Sequence, residues 1–208
     1  MARNPVPVED VRAASQRAAR RSQILEAAKH VFAEAGYHGA SIHAIIERAE
    51  IARGTFYLYF ESKEAVFGAV LDEAMTGLRR RIVRIETAPG SRSPRDQLTD
   101  SVSSLLEFVV ADRPLATVLL SSSATPDAEA AARLAAFYAE VRSVIALSLE
   151  TGMQIGLLRT CDPQLTAAAL LGLVRGIVEH CVTRGEAQPI HDVTRELIDL
   201  ALVGVLAR

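Results

Sequence analysis

Apolar residues recur at intervals of three and four along most of the chain, which is the period of amphipathic α-helices. The first such segment begins at about Gln16 and places Ile24, Ala28 and Phe32 on one face, with Gly36 as its expected stop. The alternating pattern that is typical of β-strands is nearly absent. The sequence therefore predicts an all-α protein.

Two short helices separated by a tight turn are predicted next. Ser41 can cap the first of them. Its buried face would contain Ile42, Ile45, Ile46 and Ala49. The turn would fall on residues 50–52, and the second short helix would cover residues 53–59. Ser62 can cap a longer helix that follows, so the pattern predicts an N-terminal three-helix domain with a helix-turn-helix.

The remainder of the chain predicts a larger helical domain behind a linker at residues 87–95. Helices are expected at 94–111, 114–121, 127–156, 163–184 and 190–207. Their starts are marked by capping residues beside prolines, at Ser93, Asp127 and Asp162. We expect a first domain at 1–64, with a flexible arm at about 1–15, and a second domain at 65–208.

Composition supports a globular protein but adds little about function. Of 208 residues, 50% are hydrophobic and 23% are charged, and the net charge is −2. Residues 1–64 carry nine basic and eight acidic side chains, so any positive surface there must come from geometry. Cys161 and Cys181 form no paired motif. With no signal-peptide core and no uninterrupted apolar run of about 18 residues, we expect a cytoplasmic protein without a membrane partner.

The second short helix carries the side chains that a DNA-binding helix needs. Seven of the ten aromatic residues lie between residues 32 and 67. Phe56 and Phe60 are four residues apart and would face inward. Arg53 could pair with a guanine, and Gly54 would allow close approach to the duplex. The remaining outward contacts would come from Thr55, Tyr57, Tyr59 and Lys63, chiefly to phosphates.

Residues 21–71, above all IARGTFYLYFESKE, resemble the N-terminal domain of TetR/AcrR-type transcriptional repressors. The resemblance implies a homodimer that binds a palindromic double-stranded DNA operator and leaves it when a small apolar or amphipathic effector binds the second domain. It implies DNA contacts from Ser41, Arg53, Gly54, Thr55, Tyr57, Tyr59 and Lys63. His43 lies on the exposed side of the first short helix and is either a phosphate contact or a solvated histidine. Leu58 replaces a polar aromatic that the family often has there.

Small residues in the last two helices suggest close helix packing. Gly172 and Gly176 are one turn apart and lie beside Ala168. The last helix offers a similar side with Leu197, Leu200, Ala201 and Gly204. We expect these positions to form a four-helix dimer interface, although packing within one chain would explain them too.

An apolar interior over residues 98–158 would hold the effector, with a few polar groups to orient it. The candidates for those groups are Arg113, Tyr138, Arg142, Arg175, Glu179 and His180. Arg175 and Glu179 are one turn apart and could instead pair with each other.

Two other functional classes remain open from the sequence. An all-helical enzyme would need a catalytic or metal motif, and the chain contains no HExxH, no Glu-x-x-His pair and no phosphate loop. No metal and no cofactor are therefore expected. A ligand-independent DNA-binding protein would lack an effector response. Arg12, Arg17, Arg20 and Arg21 have no acid between them and form either a DNA-following arm or a solvated helix start.

Overall fold

The computed structural model describes the backbone of residues 8–82, 85–121, 128–184 and 189–205, and the side chains of 12–82, 85–121, 128–183 and 189–201. The regular secondary structure in these ranges is α-helical. The helices are α1 (Val8–Gly39), α2 (Ile42–Arg48), α3 (Arg53–Tyr57), α4 (Lys63–Arg79), α5 (Pro94–Ala111), α6 (Arg113–Leu120), α7 (Ala128–Gln154), α8 (Pro163–Arg184) and α9 (Ile190–Val205). The predicted fold class, a three-helix unit followed by a larger helical domain, is confirmed.

Side-chain caps fix the beginnings of several helices where the sequence predicted them. Ser41, Ser62, Ser93 and Asp162 each accept a hydrogen bond from a backbone N–H in the first turn that follows. These bonds satisfy N–H groups that the helix itself leaves without partners. Asp127, the other expected start signal, lies outside the described residues.

The first helix begins earlier than predicted. α1 starts at Val8, so the expectation of a flexible arm over about 1–15 is wrong for residues 8–15. Alanines, which have the highest helix propensity, recur along this segment from Ala13 onwards. Residues 1–7 lie outside the described part of the chain.

Two helix ends also differ from the prediction by a few residues. Gly36 has a positive φ of 65° and marks a kink, after which one further turn extends α1 to Gly39. The amide of Ala40 closes this turn on the carbonyl of Gly36 at 3.1 Å. α3 ends at Tyr57 rather than at Tyr59. These shifts leave the order of the elements unchanged.

One continuous hydrophobic cluster joins the N-terminal helices to the rest of the chain, from Ile24 to Leu197. Its N-terminal part is built around aromatic rings. Phe32 and Tyr37 of α1 meet Phe67 of α4 with ring centroids 5.1 and 4.9 Å apart. Such edge-on aromatic contacts give a small domain a large buried area. These three rings are therefore part of the hydrophobic core.

An ion pair ties α1 to the larger domain, and α4 packs closely against α5. Lys29 of α1 binds both Glu26, at 2.6 Å, and Asp112, which precedes α6. Burial disfavours the Lys29 cation, but the hydrogen bonds that Lys29 donates to Asp112 and Glu26 outweigh it and raise the pKa of Lys29. Where α4 meets α5, a Cβ at Gly77 would lie 2.3 Å from the ring of Phe108, so a larger residue would force that ring to shift.

α8 is unusually apolar for a helix that is mostly uncovered. Residues Pro163–Thr183 are long and apolar enough to cross a membrane by length and composition alone, and only 11% of the tested window is buried. The expectation that no uninterrupted apolar run reaches about 18 residues still holds, because the criterion is an average that tolerates a few charged residues. Arg175 and Glu179 interrupt this stretch, so no uncharged run is long. The other residues are apolar enough to keep its mean hydropathy high.

Candidate nucleic-acid interface

The helix-turn-helix is held from behind by α1. Gln23 of α1 donates a hydrogen bond from Nε2 to the carbonyl of Ala49 at 2.7 Å, which fixes the end of α2. Ile45, on the inner face of α2, is fully buried. In the turn, Glu50 adopts a left-handed conformation with φ of 50°, which is uncommon for a residue with a side chain. The predicted turn residues 50–52 therefore lie between α2 and α3, and the strained Glu50 is the first of them.

α3 turns its large apolar side chains inward. Phe56 is completely buried, and Phe60 is 6% exposed. The guanidinium of Arg21 lies over the Phe60 ring, 5.4 Å from the ring centre, at the edge of the core. These contacts anchor a helix of only five residues, which would be unstable alone. Both phenylalanines lie where the sequence predicted them.

The outward face of α3 carries polar groups and one leucine. Arg53 and Gly54 are exposed, and Thr55 is half-buried. The Arg53 guanidinium lies 5.8 Å from the ring centre of Tyr57, which is 43% exposed. Leu58 is 82% exposed. A guanidinium, a phenol and bare backbone therefore lie side by side on a protruding surface, as base and phosphate contacts require.

Tyr59 differs from the prediction that it points outward beside Tyr57. It is half-buried and packs against the hydrophobic core. Two residues along a helix correspond to a rotation of about 200° around its axis. Tyr57 and Tyr59 therefore cannot both face outward. Tyr59 is a secondary candidate for a phosphate contact through its hydroxyl.

Lys63 has a structural task that the sequence did not reveal. Its ammonium donates to the carbonyls of Tyr37 and Ala40, at 2.9 and 3.3 Å, and lies 4.4 Å from the ring centre of Tyr37. It therefore caps the carboxyl end of α1, where a cation is favourable. With two of its three donors committed, Lys63 would offer a phosphate mainly its charge.

The two candidates at α2 are both exposed. Ser41 accepts the N–H of Ala44 at 3.1 Å, so its side chain caps α2. His43 has a side chain that is 81% exposed, with Nε2 3.4 Å from a carboxylate oxygen of Glu47. The neighbouring acid reduces the positive potential that a phosphate would meet at this imidazole.

The four N-terminal arginines lie on a solvated helix, the second of the two alternatives that the sequence left open. Arg12, Arg17, Arg20 and Arg21 are all exposed on α1. The guanidinium of Arg20 donates to the Gln23 side chain at 2.7 Å. A helix can still present cations to a phosphate backbone, so this arrangement is compatible with DNA contact.

Three of the predicted effector-binding residues are engaged within the subunit. Tyr138 of α7 donates its hydroxyl hydrogen to the carbonyl of Leu119, and Arg175 of α8 donates to the carbonyl of Leu120 at 2.9 Å. The Arg175 guanidinium also lies 5.3 Å from the Tyr138 ring centre. Burial raises the pKa of Tyr138, with Arg175 opposing the shift. Arg113 donates to the carbonyl of Val182 at 2.8 Å.

These contacts complete the carboxyl ends of α6 and α8, so the three side chains are helix caps in this structure. Arg142 is half-buried on α7. Glu179 and His180 are exposed on α8 and therefore do not line an interior. The alternative that Arg175 pairs with Glu179 is wrong, because the guanidinium points to α6.

The predicted dimer residues divide into an exposed group and a buried one. Ala168, Gly172 and Gly176 are exposed on α8, and a Cβ at either glycine would meet nothing within 4 Å. Leu200 of α9 is 66% exposed and Ala201 is half-buried. Leu197 is 5% exposed and belongs to the core of the subunit, so it is not an interface residue. The surroundings of Gly204 lie outside the described residues.

An open cleft of about 710 Å³ lies where α1 meets α5 and α6. Its lining is Glu26, His30, Arg81, Ser104, Glu107, Phe108, Ala111, Asp112 and Pro114. None of the six predicted effector-binding residues lies in it. Sequence reasoning missed this cleft because its residues come from three separate helices and share no motif.

The described residues contain no group of three or more His, Cys, Asp or Glu side chains that could hold a metal ion. Cys161 and Cys181 are both half-buried free thiols. Burial raises the pKa of the Cys181 thiol, which disfavours the reactive thiolate.

Comparison with known families places these features in a wider group. Residues 24–70 match the model described as "Bacterial regulatory proteins, tetR family", and residues 91–205 match "Tetracyclin repressor-like, C-terminal domain". The second match alone covers more than half of the chain.

Curated relatives are transcriptional regulators of the helix-turn-helix type. YdgC of Bacillus subtilis, described as uncharacterized, is 22% identical over 191 residues, covering 90% of this chain and 93% of its own. The repressor DhaR of Mycobacterium sp. (strain GP1) is 44% identical over 62 residues, which are 30% of this chain and 31% of its own. The higher identity is therefore confined to a segment of domain size.

Solved structures share the whole architecture. The regulator FadR from Bacillus subtilis in complex with stearoyl-CoA superposes with a TM-score of 0.73, at 23% identity, covering 88% of this chain and 98% of its own. The SmeT–triclosan complex gives a TM-score of 0.71, at 22% identity, with coverage of 91% and 92%. SmeT is the repressor of a multidrug efflux pump of Stenotrophomonas maltophilia. At these identities the likeness concerns the fold.

Proposed function

The chain belongs to the TetR family of bacterial regulatory proteins, and from this premise we propose that it is a dimeric, ligand-responsive transcriptional repressor. The observation that carries the proposal is the division of α3 into two sides. Phe56 and Phe60 are buried, whereas Arg53, Gly54 and Tyr57 are exposed together. A helix anchored in this way can enter a major groove without losing its core.

The DNA contacts have distinct tasks in this proposal. Arg53 and Gly54 meet base edges, and Tyr57 and Thr55 position the helix against the backbone. Ser41, His43, Tyr59 and Lys63 supply further phosphate contacts at the margins. Two copies in a dimer would present two such helices to a palindromic operator, with half-sites about one helical turn apart or somewhat more.

Dimerisation is assigned to the exposed strip of α8 with the adjoining side of α9. Ala168, Gly172 and Gly176 allow close helix approach, and Leu200 and Ala201 extend the surface. Covering this strip with a second copy removes apolar surface from water, which stabilises the pair.

The first domain would comprise residues 1–64 and the second residues 65–208.

The effector is proposed to bind the second domain and to be apolar or amphipathic. FadR was solved with stearoyl-CoA and SmeT with triclosan, so long-chain acyl-CoA and triclosan are rational probes. Release follows if the effector favours a dimer whose two α3 helices are wrongly spaced for the operator. The protein would act in the cytoplasm, where duplex DNA and acyl-CoA are both present.

The decisive experiment is selection of genomic fragments by the purified full chain, followed by gel shifts over a salt series. The proposal expects enrichment of a palindromic sequence, a dimer on each site, and affinity that falls with rising salt. Stearoyl-CoA and triclosan are then titrated against the complex. Equal binding of selected and random duplexes would contradict a specific regulator, and failure to bind any duplex at low salt would contradict DNA binding altogether.

A further inference from the structure

Leu58 directly follows α3 as its C-cap residue and is exposed beside the outward face of the helix. It is 82% exposed, the most exposed of the large hydrophobic side chains described. An exposed leucine is by itself ordinary on a protein surface. Its position is informative, because the surrounding surface is the one that we assign to DNA.

Helical geometry explains why Leu58 protrudes. Its backbone remains helical, with φ −72° and ψ −17°, and its amide binds the carbonyl of Thr55 at 3.2 Å. Leu58 follows the buried Phe56 by two residues and therefore points about 200° away from it. It follows Gly54 by four residues and shares its face. The apex of α3 thus consists of bare backbone at Gly54 and the isobutyl group of Leu58.

The chemistry of the major groove narrows what this apex can meet. Among the four base pairs, the apolar group exposed there is the C5-methyl of thymine. Phosphates and the other base edges are polar or charged, so they make few favourable contacts with an aliphatic side chain. A Cβ at Gly54 would meet nothing within 4 Å, so no neighbouring part of the protein covers the backbone beside Leu58.

We propose that Leu58 determines specificity by packing against a thymine methyl group in each half-site of the operator. The inference rests on the proposed function, because it requires α3 to lie in a major groove. It assigns an apolar base contact to Leu58, at the position where the family often has a polar aromatic residue. Arg53 and Leu58 would then read adjacent bases by hydrogen bonding and by methyl packing respectively.

Replacement of thymine by deoxyuridine tests the contact directly, because it removes the C5-methyl group alone. Each thymine of the selected operator is replaced in turn, symmetrically in both half-sites, and affinity is measured with the full-length wild type and Leu58→Ala. Wild type should lose about four-fold per half-site at one position, or about fifteen-fold for both, as expected for one methyl group leaving an apolar contact.

Leu58→Ala should lose a similar factor on the thymine operator and then show no further loss with deoxyuridine at that position. Leu58→Met, which keeps an apolar side chain, should retain most of the methyl dependence. Because the side chain is exposed, thermal unfolding of both variants should match wild type, which separates contact from folding. At every other thymine, wild type and Leu58→Ala should respond alike.

Several outcomes would overturn the inference while leaving the proposed function intact. These are an operator whose thymines can all be replaced without loss to wild type, or a methyl dependence that Leu58→Ala retains in full. A selection that yields no preferred sequence and no salt-dependent binding would overturn the proposed function and the inference together. The two failures are therefore distinguishable in one series of measurements.

Discussion

α3 and α8 are both exposed, but they expose opposite kinds of surface. α3 has five residues and presents a guanidinium, a phenol and bare backbone over a buried aromatic core. α8 has 22 residues and presents Leu165, which is 70% exposed, followed by alanines and glycines. Water solvates the polar groups of α3 well, whereas the strip on α8 gains free energy when covered. The proposed function accordingly assigns a reversible partner, DNA, to α3 and a lasting partner, a second copy of the chain, to α8.

The composition of the α8 face also favours a protein partner over a lipid one. By length and composition the helix could span a membrane. However, Glu179 and His180 are exposed on the same helix as Gly172 and Gly176, and Arg175 is held inward by the carbonyl of Leu120. A charged residue facing lipid is costly, whereas at the margin of a helix–helix interface it remains in water. The two glycines would give a second copy room for close approach.

The largest expected effect comes from placing a charge on the α8 strip. In Gly172→Arg, the new side chain has open space in the single subunit, so folding should survive. In a dimer it would be buried without a partner, at a cost of about 3 kcal/mol or more, which is at least about 100-fold in the dimer dissociation constant. Sedimentation equilibrium measures the change, and gel shifts should show a parallel loss of operator binding.

Ala136→Arg is a matched control, because it adds the same charge at an exposed position of α7. It should leave both the dimer and DNA binding intact. An unchanged dimer for Gly172→Arg would show that another surface joins the subunits. Binding of the wild type to neutral phospholipid vesicles would instead show that α8 is covered by lipid.

The next largest effects separate two cations at the DNA-binding surface. Arg53→Ala removes an exposed side chain, so it should cost about 1–3 kcal/mol in operator binding, relax base preference and leave thermal stability unchanged. Lys63→Ala should weaken all duplexes alike and reduce the salt dependence. It should also lower stability by about 1–2 kcal/mol, because the carbonyls of Tyr37 and Ala40 lose a charged donor.

Gel shifts on selected and random duplexes, combined with thermal unfolding, distinguish these outcomes. Lys63→Arg keeps the positive charge and is therefore the control for the contribution of this charge to phosphate binding. Equal losses on operator and random DNA for Arg53→Ala would contradict a base contact. A Lys63→Ala protein as stable as wild type would contradict the capping function.

The same two regions show what the sequence could and could not predict. Helix starts followed from local chemistry, since a serine or aspartate before a helix satisfies N–H groups within four residues. The burial of Phe56 and Phe60 followed from their spacing, and the all-α class from periodicity. The uncovered strip of small residues on α8 also follows from spacing within one helix.

Features that depend on distant parts of the chain could not be predicted in this way. Tyr138, Arg175 and Arg113 were candidates for an effector site, but each donates to a helix-end carbonyl far along the chain. Lys29 and Asp112 meet only because α1 packs on α6. Leu197 and Leu200 have the same type of side chain on one helix, and only tertiary packing decides which is buried.

The turn that holds α3 in place contains a strained residue, and relief of this strain should have a smaller effect on stability. Glu50 has φ of 50° in the turn before α3, a conformation that costs a residue with a Cβ about 1 kcal/mol. Glu50→Gly should therefore stabilise the fold by about 0.5–1 kcal/mol, after allowance for the greater freedom of glycine when unfolded. Glu50→Ala keeps the Cβ and should not stabilise. Chemical denaturation measures both, and equal behaviour of the two variants would assign any change to the lost charge.

The smallest expected effect concerns Glu64, which supports α4 behind the DNA-binding surface. Hydrogen bonds from the Ser62 side chain, its own backbone N–H and the Tyr37 hydroxyl lower the pKa of Glu64 below its ordinary value of 4.5. The carboxylate therefore stabilises the folded state above that value, and the contribution disappears as pH falls through the lowered pKa. Because the group is partly exposed, Glu64→Gln should cost only a few tenths of a kcal/mol at pH 7. Denaturant midpoints of wild type and variant should converge as the pH falls below 4.5. A gap that widens as pH falls would show that the neutral form, and not the carboxylate, is the one that the fold favours.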